Sequence, residues 1–480
     1  MPHVPPPRPG RSASPARVAR PARDPGGDLP GEAVEVLGRT GSTPALLGLL
    51  AERQRARRLL TLRALLDAVA GAPAGALPPG TAERLLRDWR LLEAAERADP
   101  AAARAVVDYP HTGAWAERCL RALGRPGQIG RAAAELPHLG ALAVAAAARV
   151  GLRFTVELPP RDGELRLPTL GGHRPSGTVA AVRVVGEPGR LWLHPLGADE
   201  HPAGLPVEVR RGQDGGWRSA APGWRTLQAL RHPDGRPVLI DDVDPYRDEE
   251  RRTNPYGLDV ADRLDGPGHA RWRTAWCDAR RWLALGDGTR AREVAALLAC
   301  VVPLAGAPTA QCSATRGEAF GALLSSTPRG GLDLAATLVH ELQHAKLLAV
   351  SQIAPLHTAG DDPRYFAPWR PDPRPFDGLF QGAYAHLALA DFHLRAARVL
   401  ADPLLRDAAW ADHCRCRQQV GAALPQLLGA RALTPHGRAL AAAMAAHHAR
   451  LCRHTPPEGH LARATAYVET ARMSWRRHRA

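Results

Sequence analysis

Two histidines four residues apart, with a glutamate directly after the first, stand in the run LAATLVHELQHAKLLAV: His340, Glu341 and His344. An α-helix turns once in about 3.6 residues, so both imidazoles project from one face and can reach a single cation. Glu341, next to the first histidine, is placed to meet a metal-bound water or to anchor another ligand. Leu338, Val339, Leu342 and Leu347 mark a core helix. Two imidazoles and a carboxylate are costly there unless they are paired or hold a metal. The chemistry to expect is that of a metal-dependent enzyme.

The third ligand decides which one. An elongated motif would need glycine at 347 and histidine at 350, where the chain has Leu347 and Val350. A thermolysin-type site needs a downstream glutamate, yet none occurs between Glu341 and Glu458, and Glu458 falls in a TPPEGH loop. His357, His386 and His393 are available instead. His386 is the expected third metal ligand: it lies in DGLFQGAYAHLALADFHLRAARVL, a predicted helix whose Gly382 and Ala390 share its face and permit close approach to the motif helix. His393, Asp391, His357 and Asp372 remain alternatives. A carboxylate among them would complete the two-histidine, one-carboxylate set of non-haem iron oxygenases.

Between the two helices, prolines flank Asp372 and Arg374 in YFAPWRPDPRPFDG. A guanidinium held by so restricted a backbone suits bidentate capture of a carboxylate. Pairing with Asp372 or Asp377 is the alternative for Arg374, and Arg364 and Arg370 are rival anion binders. Tyr365 and Trp369 either line the pocket or simply pack. Upstream, CSATRGEAFGALLSSTP reads as an edge strand that could pair with an extended peptide, making Ser313, Thr315 and Glu318 candidate substrate contacts.

The elements that must position these residues are legible from periodicity. Residues 1–30, rich in Pro and Arg, read as a disordered tail, and 31–150 as a helical unit with apolar residues every three or four positions. Short β-branched runs separated by Gly, Pro and Asp (RFTVELPP, GELRLPTL, TVAAVRVVG, GRLWLHPL, LPVEVRRG) predict a β-rich region over 151–262. The metal-binding domain spans 263–480, with helices predicted at ARWRTAWCDARRWLAL and TRAREVAALLACVVPL, a strand pair near QCSATRGEAFGALLSSTP, the motif helix at 331–354 and a helix from about Asp377. The expected fold class is α+β: a helical N-terminal unit, a β-rich middle section and a mostly helical, zincin-like HExxH domain.

Composition removes several function classes. The formal charge is +15, but Lys346 is the only lysine and the arginines are scattered, with few aromatic residues for base stacking. That pattern argues against nucleic acid as a partner. No apolar stretch is long enough for a membrane span, and the N-terminus lacks the apolar core of a secretion signal. The seven cysteines are odd in number and show no C-x-x-C spacing, so free thiols in a cytoplasmic protein are expected. Cys414 and Cys416 beside His413 form a C-x-C that more often arises incidentally than as a metal site.

Three blocks, SATRGEAFGALLSSTP, TLVHELQHAKL and YFAPWRPDPRPFDGLFQGAYAHLALADF, together resemble the HExxH-type peptide-modification family of actinobacteria, found with gene clusters for ribosomally made, post-translationally modified peptides. The resemblance covers about 268–400, continues through the β-rich section chiefly at IDDVDPYRD, and is thin before residue 150. It implies an iron(II)- and 2-oxoglutarate-dependent dioxygenase that hydroxylates the β-carbon of residues in a precursor peptide. It further implies that His340 and His344 bind iron, with His386 matching the family's histidine; in such an enzyme, with O2 as oxidant, Glu341 is expected to orient rather than act as a base and the proline-flanked Arg374 to hold the distal carboxylate of 2-oxoglutarate. Two other readings stand beside it: a zinc metallopeptidase with Glu341 as general base, and a non-catalytic scaffold that binds the precursor peptide.

Overall fold

The structure, a computed structural model, describes residues 31–125, 127–232, 235–248, 259–306 and 312–479. The tail predicted at 1–30 lies outside the described residues. The chain is α+β.

It begins with helices α1 (Gly31–Gly38), α2 (Pro44–Ala70), α3 (Thr81–Ala98), α4 (Pro100–Val107), α5 (Pro110–Leu123), α6 (Ile129–Glu135) and α7 (His138–Val150). Their ends are written locally. Thr43 caps α2 through the Leu46 N–H and Asp99 caps α4 through those of Ala101 and Ala102, each followed by a proline that needs no N–H partner. Gly151, at φ 86°, ends α7 in the left-handed conformation that glycine adopts without strain.

The middle section holds β1 (Phe154–Leu158), β2 (Leu165–Leu167), β3 (Gly171–His173), β4 (Ala181–Glu187), β5 (Arg190–Leu196), β6 (Val207–Arg211), β7 (Trp217–Arg218), β8 (Trp224–Thr226), β9 (Gln228–Leu230) and β10 (Val238–Ile240). An antiparallel sheet runs in the order β1-β4-β5-β6-β7, and a smaller one as β2-β3-β8. Alternation does the sorting: Val182 and Val184 of β4 and Leu191 and Leu193 of β5 are buried, while their neighbours are half-exposed. One apolar core runs continuously from Trp115 and Val144 of the helices to Leu191 of this sheet and Val302 further on.

Next come α8 (Gly266–Leu283), α9 (Thr289–Leu297), β11 (Cys300–Pro303), β12 (Ser313–Ala314), β13 (Ala322–Ser325), α10 (Gly331–Ile353), α11 (Phe376–Val399), α12 (Pro403–Leu428), α13 (Pro435–Cys452) and α14 (His460–Arg479). The helix expected across TRAREVAALLACVVPL stops at Leu297, and Cys300–Pro303 is a strand. Val301 and Val302 are β-branched and buried, and β11 lies between parallel neighbours β10 and β13, so burial on both faces removes the alternation that reveals a strand. The resulting mixed sheet has the order β12-β13-β11-β10-β9, with β12 antiparallel at its edge.

The motif helix α10 is fixed by buried charge. Lys346 is fully buried, and its Nζ donates to Glu293 Oε1 at 2.6 Å and to the carbonyls of Thr40 and Gly41 at 2.9 Å each. Arg290 and Gln343 donate to the other oxygen of Glu293, and Ser42 Oγ donates to Oε1. The loop before α2, helix α9 and helix α10 are thereby tied at one point.

Candidate metal centre

His340 and His344 present their Nε2 atoms 3.1 Å apart on one side of α10. A shared cation at about 2.0–2.1 Å from each nitrogen sets them about 2.9 Å apart at a right angle and about 3.4 Å apart at a tetrahedral one. The pair is therefore already spaced for one ion. Both rings are half-buried, so the ion would remain reachable.

Helix α11 brings His386 against this pair, its ring edge-on to His340 with centroids 5.2 Å apart. His386 Nδ1 meets the Gly382 carbonyl at 2.8 Å. A carbonyl on that nitrogen fixes the ring and leaves Nε2 as the donor atom, the usual outer support of a metal-binding histidine. Burial, then the neighbouring His344 and His386, pushes His340 well below the ordinary imidazole range. Burial likewise lowers His386 to about 4. Both are neutral at pH 7, the form that binds metal. Among the described residues, however, the group of three donors lying within 4.8 Å of one another is His111, Asp241 and Cys300, so His386 stands beside the His340–His344 pair without closing on it to that distance.

Trp369 covers His386. Its indole is stacked on the imidazole at 4.5 Å and 19°. A Cβ at residue 382 would lie 2.2 Å from that indole. Gly382 is thus small to admit Trp369 rather than to bring α10 closer.

Glu341 is buried, and Ser313 Oγ donates to its Oε1 at 2.7 Å, with the Thr315 hydroxyl a second donor. Burial raises this carboxyl above its ordinary range, against the pull of His344 and the two hydroxyls. The edge strand β12 is thereby pinned beside the metal pair. Ser313 and Thr315, expected as substrate contacts, instead spend their hydroxyls on Glu341.

The other candidates have other partners. His357 meets Asp377 at 3.2 Å and packs on Phe376. Asp391 accepts from Arg395 at 2.9 Å, and Asp372 pairs with Arg370 at 3.0 Å and Arg374 at 3.5 Å. His393 lies seven residues, about 10 Å of helix, beyond His386 and packs against Phe392. Arg374 is held by main-chain pairing with Tyr365, and its guanidinium lies against Gly378 in the first turn of α11. Arg364 is exposed beside Tyr365, and Glu458 is exposed. His413 bonds the Ala390 carbonyl at 2.7 Å, while Cys414 and Cys416 are buried.

Two features escaped sequence reasoning. The buried Lys346–Glu293 pair was signalled only by the lysine being unique and two residues past His344. The cluster of His111, Asp241 and Cys300 joins residues far apart in the chain, with no local spacing to announce it. No family model matches the chain, and no curated protein matches it.

Proposed function

We propose that this protein is an iron(II)- and 2-oxoglutarate-dependent hydroxylase acting on the β-carbon of residues in a ribosomally made precursor peptide. The observation that carries the reading is the 3.1 Å Nε2 pair of His340 and His344, half-buried and faced by His386 from α11. Iron(II) held there would supply, with 2-oxoglutarate and O2, the oxidation of an unactivated C–H bond.

The chain's own residues do the rest. His340, His344 and His386 would hold the ion. Trp369 shields one face of His386 from water. The edge strand β12 would align an extended peptide by main-chain hydrogen bonds beside the site, the zincin-like element of this arrangement. Arg374 would bind the distal carboxylate by exchanging its contact with Asp372. Glu341 is a positioning residue, because its carboxylate is buried and engaged by Ser313 and Thr315. A zinc peptidase would instead need that carboxylate free to take a proton from metal-bound water.

The test starts from anaerobic metal-free protein given iron(II), 2-oxoglutarate and a candidate precursor peptide, after which O2 is admitted. Peptide gaining about 16 Da, one oxygen atom, with succinate released supports hydroxylation. Peptide fragments formed with zinc alone would replace the hydroxylase by a peptidase. Tight peptide binding without turnover of 2-oxoglutarate would leave a scaffold.

A further inference from the structure

A second cluster of ligating side chains lies away from the motif helix. His111 stands in the first turn of α5, Asp241 directly follows β10, and Cys300 opens β11. The strands β10 and β11 are parallel neighbours in which Leu239 pairs with Cys300, so Asp241, two residues on, points to the same face as Cys300. The start of α5 is laid over that face. All three side chains are completely buried.

Their donor atoms converge. His111 Nε2 is 3.3 Å from Asp241 Oδ2 and 3.7 Å from Cys300 Sγ. Zinc bound tetrahedrally at about 2.0–2.2 Å to nitrogen and oxygen and about 2.3 Å to sulfur sets N···O near 3.4 Å and N···S near 3.6 Å. Both separations agree to about 0.1 Å. The carboxylate is also oriented. Asp241 Oδ1 accepts the backbone N–H groups of Val243 and Asp244 at 3.0 and 2.8 Å, which turns Oδ2 inward. The Tyr109 hydroxyl donates to Oδ2 and bonds the Cys300 sulfur, closing the remaining side.

A nucleophile–base–carboxylate relay uses opposite nitrogens of its imidazole. Here Cys300 and Asp241 meet the same Nε2, and Nδ1 is buried without a partner. Convergence on one point is the requirement of a cation, not of a proton relay. Charge agrees: a divalent ion with one carboxylate, one thiolate and a neutral imidazole is neutral overall, which a dry core accommodates far better than separate charges.

We propose that His111, Asp241 and Cys300 form a second, fully buried metal site that holds zinc through these three side chains and ties α5 to the sheet carrying β12 and β13. Mixed N, O and S donors favour zinc over magnesium or calcium, and complete burial marks a structural rather than a catalytic ion.

Cobalt(II) substitution tests it in the full-length protein. The motif helix carries no cysteine, so a thiolate-to-cobalt charge-transfer band reports a sulfur ligand outside the His340 site. The expected result is one tightly bound zinc retained in the His340→Ala/His344→Ala double variant, a thiolate band on cobalt loading, and loss of that band in Cys300→Ser. Should either variant fail to fold, the wild-type protein assigns the ligand: peptide mapping should find Cys300 protected from alkylation while cobalt is bound and alkylated once a chelator bleaches the band, and protection of another cysteine instead overturns the proposal. A wild-type protein that loads cobalt with no thiolate band, or a Cys300→Ser variant that keeps it, overturns the proposal.

Discussion

The indole of Trp369 lies nearly parallel to the imidazole of His386, with 19° between the ring planes and 4.5 Å between centroids, in space left by the missing side chain of Gly382. The same Gly382 accepts the His386 Nδ1 bond through its carbonyl. One glycine therefore supports the ring twice, by a hydrogen bond to one edge and by admitting the aromatic face that covers it.

Substituting that glycine should be felt at the metal. Gly382→Ala drives a methyl group into the indole and should cost about 1–3 kcal/mol of stability, the usual penalty for overpacking. Loss of the outer support should weaken iron binding about 10–100-fold, with Trp369→Ala showing the weaker binding and Trp369→Phe retaining most affinity. Competitive metal titration against a chromophoric chelator measures this. Unchanged affinity in Trp369→Ala would remove the indole from the site.

The buried ion network makes a separate prediction about folding. Glu293→Gln leaves Lys346 and Arg290 without their shared counter-charge in the core and should destabilise by about 3–5 kcal/mol at pH 7. Burial by itself would raise the Glu293 carboxyl, but Lys346 and Arg290 outweigh it and hold the group at about 2. A folded-state value below the ordinary one gives stability that is complete above about pH 4.5 and drains as pH falls toward 2. Denaturant midpoints of wild type and Glu293→Gln should therefore converge on acidification. A gap that stays constant from pH 7 to pH 3 would contradict this.

What the sequence made visible, and what it hid, divides along physical lines. The β4 and β5 runs were legible because one face of each is buried and the other is not, and the motif helix because a long apolar run can only be a core helix. β11 was not, since a strand covered on both sides has no period to detect. In the site, His340 and His344 follow from helical geometry alone. The neighbourhood of His386 depends on how α10 meets α11 and on where the Trp369 loop falls, which no local pattern encodes. The buried partner of Lys346 lies 53 residues away, and packing alone brings it there.

Glu341 offers a pH readout. Hydrogen bonds to a carboxylate favour its charged form, so removing the hydroxyls with Ser313→Ala and Thr315→Val should raise the Glu341 carboxyl further. If the charged form orients the site, the acidic limb of kcat/KM for the peptide moves to higher pH while the alkaline limb stays in place. The pH–rate profile of the double variant measures it. An unshifted acidic limb would mean that the charge on Glu341 does not matter to turnover.

Arg374 carries the last expectation. Its backbone is held by main-chain pairing to Tyr365, while its guanidinium shares Asp372 with Arg370 and is only loosely committed. Losing a charge-assisted contact to the distal carboxylate should cost about 1.5–3 kcal/mol, or roughly 10–100-fold in affinity. Arg374→Ala should therefore raise the KM for 2-oxoglutarate by that factor and leave kcat at saturation nearly unchanged, the signature of binding shared by ground and transition states. Arg370→Ala, which removes the competing partner of Asp372, should leave that KM within about twofold, well inside the scatter expected of a surface change. Succinate release as a function of 2-oxoglutarate concentration separates the two arginines, and equal effects in both variants would mean that neither is the dedicated anchor.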